Sequence, residues 1–528
     1  AFNENFLLYL AMTRASDSLT LSYASSGEDG TGLEPSLVVK RLESLGYVGK
    51  AVDIPLSIEP DTETDYVWRP LQSLSLLSER WGALFSGHEV NPLWWGLYNW
   101  ARESDTYRPR LGEVSRGIRD NNDVPVITKD LVNGLFLSKG YMSGSVTRLE
   151  RYQQCPFKFY AQYGLKLEPR RVRSFGAPEI GTFLHANLER LGNYLLENNK
   201  QWRDLNEEDQ LNLCRSVADE ILQENHGGEE TSDAYQKAIE QRVQRTLHVT
   251  VDRLVEWSKR SDFDTKYLEQ DFGRQGGWDP IRVPLGEDRY LRLIGQIDRI
   301  DEYTRDGQTY GMVIDYKSGG AHVTAQDVYY GLKLQLMTYL LALESAYGKT
   351  QGQSMAPAAV VYSYVKNPKI PAGAPISYED AVALAKESDA WQNSGYFSDD
   401  IELLTHIDNK FLSYGSKRGP YVPIATKKDQ TISSRDLHKV KNTGEFDVMC
   451  RYTNHVMADI GRNIGDGQFP IQPYQLNKNR PCTYCDYNTV CRFDSSRNRY
   501  NYLSRLSEDD ALERMKEVLN EGGENHGC

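Results

Sequence analysis

The chain is short of several things, and each absence narrows what it can do. No apolar run in its 528 residues is long enough to span a bilayer, which takes about 20. The opening Ala-Phe-Asn-Glu carries no charged-then-apolar leader pattern, so neither secretion nor a membrane anchor is expected, and a cytoplasmic protein is. The missing initiator Met makes the sequence read as a piece of something longer. Basic residues are the minority, 61 Lys and Arg against 74 Asp and Glu, for a net charge of −13. That argues against a bulk polycationic binder, although overall charge constrains solubility more than it constrains one groove. The two basic runs, Lys166 with Arg170, Arg171 and Arg173, and Lys417 with Arg418, Lys427 and Lys428, read individually as solvated faces. Cysteine is sparse, and its count of seven is odd, which speaks against a disulfide framework and for a metal or cluster site. The phosphate-loop pattern Gly-x-x-x-x-Gly-Lys-Ser/Thr is absent; Gly348-Lys349-Thr350 is a decoy, with Leu343 where the first glycine belongs. ATP hydrolysis by that route is therefore not expected. No internal repeat is present.

What is there is ordinary globular composition, 39% hydrophobic and 26% charged, in a chain long enough for two or three domains. Phe6 to Ser16 reads as an apolar helix, after which Leu19, Leu21 and Tyr23 alternate as a strand. Residues 25–140 look mainly helical and include Trp94, Trp95 and Trp100, for which core packing is the better reading than base stacking. The Gly- and Ser-rich patch Ser138 to Ser145 marks a boundary. Ser145 or Thr147 can cap a helix that leads to Cys155, where Pro156 fixes the thiol at a turn. Leu184, Leu188 and Leu191 form the apolar stripe of a second helix, with His185 beside it. Residues 193–260 suggest an inserted helical layer with a Gly-Gly-Glu-Glu loop at 227–230. Strands follow from Lys266, then a helix with Gln335 and Tyr339 one turn apart, a buried strand from Pro357 to Val365, and an amphipathic tail helix from Ser507 to Leu519. The division expected is 1–140, 141–500 and 501–528.

One stretch organises the rest. In Gly311-Met-Val-Ile-Asp315-Tyr-Lys317-Ser-Gly319, strand alternation puts Val313, Asp315 and Lys317 on one face. A preceding strand ends in Arg305-Asp306-Gly307-Gln308, and Asp-Gly between alternating runs is a strong hairpin signal. With Asp306 and Gly307 as the turn, Arg305 pairs with Gln308, and counting outward sets Asp298 opposite Asp315. Directly opposed side chains have Cβ atoms about 4.5–5.5 Å apart. Two carboxylates that close repel, so one protonates or a cation sits between them. Hard oxygen donors at this density suit Mg²⁺ or Mn²⁺. Such an ion activates water and stabilises a phosphoryl leaving group, and the Lys317 ammonium supplies further charge.

Three cysteines, Cys482-x-x-Cys485-x₅-Cys491, form a compact run, and Cys155 is a distant fourth. Four thiolates hold either zinc or a [4Fe–4S] cluster, and spacing does not choose between them.

These motifs carry a resemblance. Asp298, Asp315-Tyr316-Lys317, Gln335 and Tyr339 resemble the PD-(D/E)XK nuclease core of the RecB family. The resemblance implies an α/β, restriction-endonuclease-like core with helical insertions, in which His185 completes the metal shell. His185, Asp298 and Asp315 would bind Mg²⁺ with the Tyr316 carbonyl as a further ligand, Lys317 would act on the water and transition state, and Gln335 and Tyr339 would contact DNA or order the site. Glu269 falls where the family often has an acidic residue. Thr13-Arg14-Ala15 resembles the last signature motif of superfamily-one helicases, where the arginine reaches a nucleotide phosphate, and so implies a partial helicase-like segment before the nuclease. Cys155 in Ser-Val-Thr-Arg-Leu-Glu-x-Tyr-x-x-Cys-Pro-Phe, followed by Cys482, Cys485 and Cys491, resembles the iron–sulfur staple of AddB-type helicase–nuclease proteins. That resemblance covers nearly the whole chain. It implies a [4Fe–4S] cluster closing a loop of more than three hundred residues, AddA as heterodimer partner, and cleavage of a single DNA strand from an unwound duplex end during recombinational repair. The alternative is a catalytically inactive DNA-binding scaffold with a structural metal site.

Overall fold

The computed structural model describes residues 2–27, 31–54, 60–85, 87–119, 122–138, 140–168, 177–226, 234–286, 289–350, 355–366, 376–377, 380–381, 384, 391–495 and 497–523. Arg170, Arg171, Arg173 and the Gly-Gly-Glu-Glu loop lie outside them. The chain divides into two units, Ala1–Asp120 and Asn121–Cys528. Among the described residues no helix is long and apolar enough to cross a membrane.

The first unit is helical, with helices at Phe2–Thr13, Leu37–Ser44, Pro70–Phe85, Pro92–Glu103 and Arg108–Arg119. Asn91 caps Pro92–Glu103 by accepting the Leu93 amide, and Pro92 begins the helix where no amide is needed. Its core gathers Leu74, Leu77, Trp81, Trp94, Leu97 and Leu111. Core packing thus holds for Trp94 only; Trp95 and Trp100 are 46% and 45% exposed. The strand expected at Leu19–Tyr23 does not form. Alternation alone is not enough for a strand, because its amides and carbonyls need a partner edge, and no described residue pairs with these.

The second unit is built on a six-stranded mixed sheet. In chain order its strands are β1 (Asp264–Phe272), β2 (Gly295–Arg305), β3 (Gln308–Lys317), β4 (Met355–Tyr364), β5 (Ser394–Ser398) and β6 (Val440–Lys441), and in space they run β6-β5-β4-β3-β2-β1. β2 and β3 form the expected hairpin. Arg305 pairs with Gln308, and Asp306 and Gly307 both take the left-handed conformation that a tight hairpin turn demands, with φ of 52° and 81°. β3 then crosses over to the parallel strand β4 through a helix.

Helices pack on both sides of the sheet, so both faces of β3 and β4 are buried. Val313, Ile300, Val360 and Tyr362 join a core with α1 (Val146–Gln154), α5 (Gln335–Thr350), α6 (Thr443–Gly465) and α7 (Glu508–Gly523). Met312, Ile314, Tyr316 and Val361 join the opposite core, made with α2 (Ala177–Glu197), α3 (Glu207–His226) and α4 (Ala234–Ser258). Leu184, Leu188 and Leu191 of α2 face this core as their spacing predicts. α2 approaches β1 closely at Gly192, where a Cβ would lie 2.2 Å from Leu268 Cδ1. A smaller four-stranded sheet is made by Leu137–Ser138, Tyr141–Gly144, Arg289–Leu293 and Ile281–Gly286.

Candidate active site

The β2–β3 ladder runs to the pair Arg299–Ile314, one residue short of Asp298 and Asp315. In place of a further ladder bond, the Tyr316 amide donates to Asp298 Oδ2 at 2.7 Å. On the other side of β2, Leu268 pairs with Arg299 and Gln270 with Ile297, which sets Glu269 at the level of Asp298. Three neighbouring strands therefore carry Glu269, Asp298 and Asp315 in one row. Glu269 has φ of 43°, a left-handed backbone that non-glycine residues adopt at a cost of about 1–3 kcal/mol and that clusters at functional sites.

His185 meets this row from α2. Its Nε2 lies 3.0 Å from the Tyr316 carbonyl, and its Nδ1 lies 3.4 Å from Asp298 Oδ2 and 3.8 Å from Glu269 Oε1. A ring N–H on a backbone carbonyl fixes the tautomer and turns the other nitrogen toward the carboxylates, the arrangement that orients a metal-ligating histidine. The Tyr316 carbonyl, expected as a ligand, is thus engaged by the histidine. Among the described residues, His185, Glu269 and Asp298 form the group whose ligand atoms all lie within 4.8 Å of one another.

Asp315 is turned to the other side of the row. Lys317 Nζ stands 2.5 Å from its Oδ2, and Gln335 Nε2 donates to its Oδ1 at 2.8 Å. Gln335 also donates to the Tyr339 hydroxyl at 2.8 Å and accepts from Lys317 Nζ at 3.2 Å. Asp315, Lys317, Gln335 and Tyr339 thus form one hydrogen-bonded network alongside the His185–Glu269–Asp298 group. A cavity of about 600 Å³ opens over both, lined also by Ser145, Thr147 and the loop Ser318–Ala321. Ser145 stands at the N-cap of α1 without making the capping bond expected of it.

The electrostatics fit a cation site. Burial pushes the Asp298 carboxyl up to about 6 against the pull of His185, and neighbouring Glu269 adds to the rise. Burial and the charge of Asp298 push Asp315 up to about 7 although Lys317 is in contact. Burial disfavours a charged His185, but the Glu269, Asp298 and Asp315 carboxylates around it outweigh that and raise it to about 9. Buried acids that raise each other are a donor set that a divalent ion would satisfy, with His185 joining it on giving up its proton.

The four cysteines also come together. Cys155, Cys482, Cys485 and Cys491 line one cavity of about 230 Å³ with Lys158, Tyr487, Phe493 and Tyr500. Cys155 is buried at the end of α1, and burial pushes its thiol up to about 11; the thiols of Cys482 and Cys491 are raised by burial and by the neighbouring Cys485. Arg14 belongs to the first unit, on an exposed bend just past the helix Phe2–Thr13.

The comparisons with known proteins agree with this geometry. Residues 143–492 match the model of the PD-(D/E)XK nuclease superfamily, and the chain belongs to that superfamily. Residues 59–117 match the fifth domain of the ATP-dependent helicase/deoxyribonuclease AddB. Along its length the chain is similar to the B subunits of bacterial ATP-dependent helicase/deoxyribonucleases. It is 29% identical to that of Clostridioides difficile (strain 630), over 98% of this chain and 45% of the relative. It is 31% identical to that of Clostridium perfringens (strain SM101 / Type A), over 100% of this chain and 45% of the relative. The chain thus spans about half the length of these curated relatives.

Proposed function

We propose that this chain carries a Mg²⁺-dependent deoxyribonuclease centre that hydrolyses phosphodiester bonds of one DNA strand. The observation that carries this is the row Glu269–Asp298–Asp315 across three strands, with His185 at one end and Lys317 at the other. His185, Glu269 and Asp298 would hold the ion, with Asp315 as a further oxygen donor beside them. A bound Mg²⁺ supplies a polarised phosphate oxygen and a more acidic water. The protein does the rest. Gln335 holds both the Asp315 carboxylate and the Lys317 ammonium, so the lysine is fixed where it can orient the nucleophile and offset charge developing on the phosphate. Tyr339 locks Gln335 from the next turn of α5.

The similarity to the helicase/deoxyribonuclease relatives supports a finer reading: processing of broken duplex ends for recombinational repair in the cytoplasm, on a single strand supplied by an AddA-type helicase partner. Arg14 as a nucleotide contact belongs to the same reading, as does a [4Fe–4S] cluster on Cys155, Cys482, Cys485 and Cys491.

The test is cleavage of single-stranded DNA by the complete protein with and without Mg²⁺. The wild type cleaves only with the divalent ion, and Asp315→Ala or Lys317→Ala loses about 10³-fold or more. Divalent-independent cleavage overturns the Mg²⁺-dependent reading, and no cleavage from the wild type favours the inactive scaffold.

A further inference from the structure

Glu150 is a ligand candidate at neither metal site, yet it touches one and is carried by the helix that ends at the other. α1 runs into Cys155, which faces the cysteine cavity. About one and a half turns earlier on that helix, Glu150 Oε1 accepts the Leu334 amide at 2.7 Å and the Gln335 amide at 3.1 Å. These two amides open α5. The first amides of a helix have no partner within it, and a carboxylate there also meets the positive end of the helix dipole. The residue before α5 is Leu334, fully buried and without a side-chain oxygen to do this itself. The cap comes instead from 184 residues earlier in the chain.

Gln335 is the first residue of α5, and its side chain makes the bonds to Asp315, Lys317 and Tyr339 described above. A helix whose first turn is pinned aims that side chain; a frayed first turn releases it. We propose that Glu150 is a positioning residue of the nuclease centre. By capping α5 it holds Gln335 on Asp315 and Lys317, and it carries the placement of the Cys155 helix to the reacting lysine. This rests on the nuclease reading above.

The test is a double-mutant cycle on steady-state cleavage of single-stranded DNA with Mg²⁺, in the complete protein. Glu150→Ala lowers kcat about 10- to 100-fold, the usual cost of a misplaced catalytic group, with KM within about twofold. Glu150→Gln retains kcat within about threefold, because its amide oxygen accepts the same two N–H groups. In a Gln335→Ala background Glu150→Ala costs nothing further, since the group it positions is already gone. A merely structural role predicts instead that both Glu150 variants lower the melting temperature, while kcat per folded molecule stays unchanged or falls equally in both backgrounds. A wild type that cleaves, with Glu150→Ala unchanged or fully additive with Gln335→Ala, overturns this inference alone. A wild type that does not cleave with Mg²⁺ overturns the nuclease reading and this inference with it.

Discussion

The two candidate metal sites of the second unit are built in opposite ways. The carboxylate centre stands on the central sheet: its acids come from three adjacent strands, just where the paired ladders end or skip a residue. The cysteine cavity stands on the short turns Pro481–Tyr484 and Asn488–Cys491 and on the end of α1. In the first, backbone pairing and two cores bring like charges together, a repulsion that a divalent ion would relieve. In the second, the thiols come from short turns, and the Cys155 region is tied to the C-terminal cysteines also by the Phe157 amide on the Pro470 carbonyl at 3.2 Å, the Tyr487 hydroxyl on the Leu167 carbonyl at 2.9 Å and the stacked rings of Phe159 and Phe469; a bound group would add to these ties. A site built on the sheet would wait for its ion, whereas one built on turns would be completed by its bound group.

Loss of the cysteine-held group is the largest expected break in this comparison. Cys482→Ala lowers the melting temperature by about 10 °C or more, because a structural metal site contributes folding energy outright. Removing Mg²⁺ with EDTA lowers it by only about a few degrees. Thermal unfolding of the two samples, with iron analysis and the visible spectrum of the first, decides. Equal shifts, or a Cys482→Ala protein that keeps both its colour and its stability, would show that the sites are not built differently.

Glu269→Gln sharpens the comparison from the other side. Losing one anionic oxygen donor weakens Mg²⁺ binding by about 10-fold without changing the fold, so excess Mg²⁺ restores cleavage. An unchanged Mg²⁺ dependence would remove Glu269 from the ligand set.

The smallest effect is on pH. Asp298 and Asp315 have folded values of about 6 and 7, above the ordinary carboxylate range. A raised acid favours the folded state fully only below its unfolded value, and that contribution is lost as pH rises through the folded one. Without a divalent ion the centre therefore weakens the fold as pH climbs from about 4 to 7. His185, raised to about 9, has the same sign and extends the loss upward as it deprotonates. Mg²⁺ binds the ionised acids, so its stabilising shift should grow between pH 5 and pH 8. A shift of equal size at both ends would contradict the assigned titrations.

How much of this was legible in the sequence follows from how local each determinant is. The β2–β3 register is readable because Asp306-Gly307 is a two-residue turn, and a strand's period of two carries it outward as far as Arg299 and Ile314, one residue short of Asp298 and Asp315. Gln335 and Tyr339 were readable as one turn of one helix. Glu269 was seen as an acidic position but not as a close companion of His185, because its place depends on β1, whose pairing with β2 shifts between Thr265 and Tyr267. Glu150 left no local signal at all, since the amides it caps lie 184 residues away. Leu19–Tyr23 is not a strand and Trp95 and Trp100 are exposed for a shared reason: alternation and helical spacing say which residues share a face, and only the tertiary partner says whether that face is covered.

A divalent ion held by the carboxylates of His185's neighbours Glu269 and Asp298 can be read by electron paramagnetic resonance of bound Mn²⁺. The wild-type protein should bind one Mn²⁺ with high affinity, in competition with Mg²⁺, and Asp298→Ala should lose that site while keeping its cysteine-held group. Equal Mn²⁺ binding by wild type and Asp298→Ala would contradict the account.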